Sequence, residues 1–199
     1  MDLGKFEKSE QLYLEAMHSR KIIFGNEHPE YAGSLINLAN LYMEMGNHEK
    51  AETFYFEASL IFKEIFGKEH PNYATSLSNL ANLYWGIGNY SRAETFYLDS
   101  KNIRENSLGT KHPDYAQSLN NLANLYRDMG NFEQAEKYYL ESKAIWEKVY
   151  GKEHPDYAHN LDNMAILYMS SGKYEKDVYK RQMLSLFSKP VITRCYVPA

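Results

Sequence analysis

Apolar residues fall along this chain with a helical period. At about 100° per residue, Tyr31, Leu35, Leu38, Leu41, Tyr42 and Met45 share one face. Ala32 and Ala39 lie to one side of it and are small enough to let a neighbouring helix come close. The opposite face carries Gly33, Ile36, Asn40 and Met43, with Asn37 and Glu44 at its edge, and is expected to have no partner within its own unit. A second helical pattern follows, with Ala51, Tyr55 and Ala58 on one face and then Ile61 and Ile65. The ends are also marked. Pro29 after His28 suits a first turn, where a missing N–H costs nothing, and Glu30 favours the positive helix end. Gly46 can take the left-handed conformation that ends a helix, Asn47 can cap the next one, and Gly67 stops that second helix. The pattern predicts two antiparallel helices of roughly 17 to 20 residues, about 25 to 30 Å long.

The pattern recurs. Residues 37–46 read N-L-A-N-L-Y-M-E-M-G and return at 79–88, 121–130 and 163–172, offset by 42 residues each time. A fixed period of this size is the signature of a stacked repeat array. Complete units are expected at 25–66, 67–108 and 109–150. Residues 1–24 carry mostly the second helix of a partial unit, because Glu10, Tyr13 and Ala16 match Glu52, Tyr55 and Ala58. Met1-Asp2-Leu3-Gly4 falls in register with the last turn of a first helix. Residues 151–176 supply a first helix and the start of a second. The columns then stop, with Asp177 and Val178 where Ala and Glu are expected. Residues 177–199 read as a non-native tail, and the chain as a fragment of a longer array.

In the first complete unit, Leu38, Ala39, Tyr42, Gly46, Ala51, Tyr55 and Ala58 stand where the tetratricopeptide repeat places its signature residues. The unit is longer than the usual 34 or so residues. That length, with His28-Pro29 followed by Tyr31-Ala32, resembles the kinesin-light-chain-like subgroup. The resemblance implies an all-α fold, a right-handed α-solenoid of antiparallel helix pairs. It also implies that the first helices line a concave groove that takes a peptide or partner segment, gripped in relatives by asparagines of that helix.

Columns that change between units are free to serve a ligand or to face water. Met43, Trp85, Arg127 and Met169 form one; Ile36, Ser78, Asn120 and Asp162 form another; Glu44, Gly86, Asp128 and Ser170 form a third. Trp85 either offers apolar area to a ligand or folds back onto a neighbouring helix. Asn40, Asn82 and Asn124 make a ladder, broken at Ile166, with donors and an acceptor suited to a peptide backbone. The invariant Asn37, Asn79, Asn121 and Asn163 are assigned to structure instead. Arg127 suits an acidic ligand group unless Asp128 neutralises it. The candidate peptide-binding residues are therefore Ile36, Asn40, Met43, Ser78 and Asn82, together with Trp85, Asn120, Asn124 and Arg127.

Composition narrows the function classes. The net charge of −4 argues against phosphate binding along the array, and so against a nucleic-acid partner. The single cysteine, Cys195, cannot form an intramolecular disulfide. Residues 1–10 lack the apolar centre of a signal peptide, and no apolar run is long enough to span a bilayer, so a cytoplasmic location and no membrane partner are expected. His28, His70, His112 and His154 occur one per unit, too far apart to share a metal. No phosphate loop, cofactor motif or nucleophile–base pair emerges, so no cofactor and no enzymatic activity are expected. The leading expectation is a non-catalytic protein-interaction scaffold. The alternative is a regulatory or sensor arm of a larger multidomain enzyme or signalling protein. Uncapped array ends add an expectation of self-association.

Overall fold

The computed structural model describes residues 3–172. They form eight helices: α1 (Leu3–Phe24), α2 (Pro29–Glu44), α3 (His48–Phe66), α4 (Pro71–Gly86), α5 (Tyr90–Leu108), α6 (Pro113–Asp128), α7 (Phe132–Tyr150) and α8 (Pro155–Ser170). Among the described residues there is no strand. The even-numbered helices have 16 residues and recur every 42; α3, α5 and α7 have 19. We term the even-numbered helices A and the others B. Successive helices pack together, most extensively in the pairs α2/α3, α4/α5 and α6/α7, and the result is an all-α solenoid. Leu3 and Gly4, expected as the remnant of an A helix, are the first residues of α1. Residues 177–199, expected to be a non-native tail, lie outside the described residues.

The turns explain the fixed period. At the end of α2 the Gly46 N–H donates to the Met43 carbonyl and the Asn47 N–H to the Tyr42 carbonyl, which satisfies two carbonyls left over by the helix. Gly46 has φ +74°, a conformation that disfavours a side chain. Asn47 then turns its own side chain to accept from the Lys50 N–H at 3.2 Å, so a single residue closes one helix and opens the next. The loop before each A helix uses histidine in the same way. His28, His70, His112 and His154 accept through Nδ1 from the N–H two residues on, at 3.1–3.2 Å. Three of these rings also stack on the last aromatic residue of the preceding B helix: Phe24, Phe66 and Tyr150 at 4.7, 4.7 and 4.1 Å.

Packing follows the expected columns, with two departures. Ala32, Ala39, Ala51 and Ala58 are fully buried, and the leucines of α2, α4 and α6 are buried with them. Met45 and Ile65, expected on apolar faces, are exposed because each sits within two residues of a glycine turn, beyond the facing helix.

Two tyrosine ladders stitch the helices together. In the first, A-helix tyrosines donate to glutamates of the preceding B helix: Tyr42 to Glu10 and Tyr126 to Glu94 at 2.5 Å, Tyr168 to Glu136 at 2.9 Å, and Tyr84 to Glu52. In the second, B-helix tyrosines Tyr55, Tyr97 and Tyr139 donate to Asn40, Asn82 and Asn124 within the same unit. One column is variable: Arg20, Phe62, Arg104 and Trp146 occupy equivalent B-helix positions. Arg104 is buried and reaches the Ser118 hydroxyl of the next unit at 2.8 Å and Thr75 of its own at 3.0 Å.

Two outcomes follow. His70→Ala should cost about 1 kcal/mol in urea unfolding, the usual loss of a helix cap, whereas His70→Asn should retain most of the stability. Equal losses in both variants would transfer the role from the cap to the Phe66 stack. Burial pushes the phenols of Tyr55, Tyr139 and Tyr168 up to about 12, and those of Tyr97 and Tyr126 higher still. These groups stay protonated in the folded chain where the unfolded chain ionises. Their contribution is therefore complete below about pH 10 and is lost as the pH rises through 12. Far-UV circular dichroism should show helix loss across that window. Unchanged helicity at pH 12 would contradict this.

Candidate functional site

The A helices lie side by side, each touching the next. Met43 of α2 places Cε 3.3 Å from where a Cβ on Gly86 of α4 would stand. Trp85 of α4 donates through Nε1 to Asp128 of α6 at 3.0 Å. Asn163 of α8 donates to Asn120 of α6 at 3.3 Å. Two of the variable columns therefore interlock, residue 43 of one unit on residue 44 of the next, and the A helices present one continuous surface.

The candidate residues divide on this surface. Ser78 and Asn120 were expected to face the groove and are buried instead. The Ser78 hydroxyl bonds that of Ser100 at 2.8 Å, and Asn120 accepts from both Asn160 and Asn163. Ser78 thus joins α4 to α5 within its unit and Asn120 joins α6 to α8 of the next, so these side chains hold helices together. Ile36 and Met43 are half-buried against the core. Trp85 is also half-buried and folds back onto α6, the second of its two expected arrangements. Arg127 bonds Asp128 at 3.0 Å and lies within 3.4 Å of both Asn124 and Tyr139. Its charge is thus met inside the array.

The asparagine ladder has a different geometry from the one expected. The face was expected to have no partner within its unit, yet Asn40, Asn82 and Asn124 each accept a tyrosine hydroxyl from their own B helix. That bond uses the carboxamide oxygen and fixes the plane of the amide. The amino groups of Asn40 and Asn82, on exposed residues, have no partner among the described residues and remain available as donors.

The invariant asparagines divide as well. They were assigned to structure because their column never varies. Asn121 and Asn163 do bond within the array, Asn121 accepting from Gln117 at 2.8 Å. The side chains of Asn37 and Asn79 have no hydrogen-bond partner among the described residues. Asn163 is set apart by the neighbouring column, where it finds Asn120; the equivalent residue one unit before Asn79 is Ile36, which cannot accept. A cleft of about 430 Å³ opens where α1 meets α2, with Phe6 and Tyr13 on one wall and Asn37, Asn40 and Glu44 on the other. Among the described residues no helix is long and apolar enough to cross a membrane.

Comparison with known proteins agrees with this architecture. A family model for the tetratricopeptide repeat matches residues 1–55, 30–106, 92–142 and 114–176. Among solved structures, BtubC (BKLC) from P. vanneervenii is 26% identical, with a TM-score of 0.74 over 98% of this chain and 80% of that one. Two crystal structures of a Podosopora anserina protein of nearly identical TPR-like repeats, named for kinesin light chain, are 23% identical. Their TM-scores are 0.71 and 0.69 over 92% of this chain and 85% of theirs. A search of curated proteins finds no sequence match. With four overlapping matches running from residue 1 to residue 176, on a stack of helix pairs like those of kinesin-light-chain-like proteins, the chain belongs to the tetratricopeptide repeat family.

Proposed function

We propose that this chain is a non-catalytic scaffold that holds an extended peptide or partner segment against the surface of its A helices. Tetratricopeptide repeats in general mediate protein–protein interaction. The observation that supports this reading is the set of oriented, unspent amides. Asn40 and Asn82 have their oxygens committed to tyrosines and their amino groups free, and Asn37 and Asn79 beside them have no partner among the described residues. Adjacent packed helices lie about 8–10 Å apart. An extended chain advances about 3.3 Å per residue, so donors recur at every third residue of a segment laid across the helices. Such a ladder reads backbone carbonyls and leaves the side chains to the variable positions around Trp85. The internal pairing of Arg127 with Asp128 weighs against an acidic motif as the main determinant.

A peptide-display selection on the whole chain tests the proposal. A motif selected by the parent should bind Asn79→Ala/Asn82→Ala roughly tenfold more weakly, the loss expected for two hydrogen bonds. It should bind Glu64→Ala, altered on an exposed position of α3, as tightly as the parent. Equal binding by all three proteins, or no enriched motif, would remove the groove reading.

A further inference from the structure

Helix α3 lies inside the array, packed on α2 on one side and on α4 on the other. Its buried face carries Ala51, Tyr55 and Ala58. At about 100° per residue, Thr53, Phe56 and Leu60 fall on the opposite face, with Glu52 and Glu57 to either side and Glu49 one turn before Thr53. Phe56 and Leu60 stand one turn apart and are 53% and 44% exposed. The six residues line a shallow hollow of about 510 Å³.

Apolar side chains scattered singly over a surface are ordinary. This pair differs in its frame. Glu57 accepts the Tyr31 hydroxyl at 3.2 Å, a neutral partner that holds the carboxylate in place and leaves its charge. The Glu49 side chain has no partner among the described residues. Glu52 is shared between the Tyr84 hydroxyl and Arg92, the latter at 3.6 Å. The cations of α3 are turned elsewhere. Lys50 sits over the Tyr42 ring at 4.5 Å and lies 3.8 Å from Glu10, and Lys63 lines a separate cleft with Tyr73 and Asp99. Two carboxylates with uncompensated charge therefore border the apolar pair. In α5 the positions of Phe56 and Leu60 are held by Leu98 and Asn102, and in α7 by Leu140 and Ala144. Of the three, α3 alone joins two large apolar residues to this acidic border.

We propose that the outer face of α3 docks an amphipathic helix of a partner protein, one whose apolar stripe is flanked by lysine or arginine. The charge of the border selects this occupant: it repels nucleic acid and anionic lipid, and it attracts a basic segment. The spacing selects a helix. Apolar residues one turn apart on the partner match Phe56 and Leu60, and neighbouring positions of the same helix bring cations to Glu49 and Glu57. The surface is separate from that of the A helices, so both can be occupied at once.

Fluorescence anisotropy on the full chain tests this with two labelled helical peptides about five turns long, one of leucine and lysine, the other of leucine and glutamate. The leucine–lysine peptide should bind saturably, one to one, and the leucine–glutamate peptide should not. Phe56→Ser/Leu60→Ser should bind the first peptide roughly tenfold or more weakly. Glu49→Gln/Glu57→Gln, which keeps an acceptor for Tyr31, should also weaken binding and flatten its dependence on salt. Leu140→Ser on α7 and Asn79→Ala/Asn82→Ala on the A helices should bind like the parent. Leu60→Lys replaces the serine variant should circular dichroism show that the latter has lost helix. Binding that survives the loss of Phe56 and Leu60 would overturn the proposal, because attraction to acidic surface in general would explain it. So would binding lost in Asn79→Ala/Asn82→Ala, which would place the peptide on the A helices. A parent that binds neither peptide would also overturn it, and sedimentation velocity showing dimers abolished by Phe56→Ser/Leu60→Ser would then make a second copy the occupant.

Discussion

Close approach of helices at alanine is the constraint on which the rest depends. Ala32, Ala39, Ala51 and Ala58 are fully buried, and so are Ala74, Ala81, Ala93, Ala116, Ala123 and Ala135 in later units. A methyl group at each contact keeps the spacing of neighbouring helices small and equal from unit to unit. Only at that spacing do the tyrosine hydroxyls reach glutamate on one side and asparagine on the other. A larger residue in the column would not remove those hydrogen bonds directly; it would move their partners out of range, and overpacking a tight contact costs about 1–3 kcal/mol before that.

The same spacing explains the tyrosine content. A tyrosine buried between helices needs its hydroxyl satisfied, and each of the two ladders provides a fixed partner. The rings fill the inter-helix space while the hydroxyls reach its edge. The ladder that ends on asparagine therefore does two things at once. It satisfies a buried phenol, and it locks an amide in a defined plane on the surface where a ligand is proposed to lie.

Much of this was legible in the sequence, and what was not has a common cause. The turns were readable because glycine and asparagine report local backbone needs. The alanine and leucine columns were readable because burial within one helix pair follows from a helix's own periodicity. The fates of Ser78, Asn120 and Trp85 were not, because each is decided by a residue on another helix, 22, 40 and 43 positions away: Ser100, Asn160 and Asp128. A single helix's pattern gives the direction in which a side chain points and not what a neighbouring helix places there. The repeated histidines read as loop and helix-start residues, but the bond each makes there was not legible for a different reason: histidine is outside the usual set of helix caps, and its Nδ1 serves here as an aspartate or serine oxygen would.

The variable column of Arg20, Phe62, Arg104 and Trp146 has a consequence for how such an array can change in length. Two of its members bond a serine of the next unit, Arg20 to Ser34 and Arg104 to Ser118, whereas the equivalent serine after Phe62, Ser76, donates to the Tyr73 carbonyl instead. Excising residues 67–108 would keep the reading frame and every turn. It would also set Phe62 against Ser118 and leave that hydroxyl without its guanidinium. Such an excision would thus exchange an arginine–serine junction for the phenylalanine–serine kind already present at Phe62 and Ser76, with Ser118 keeping its bond to the Asp114 carbonyl. A change of length by one unit would therefore exchange one kind of junction for another while every turn is kept.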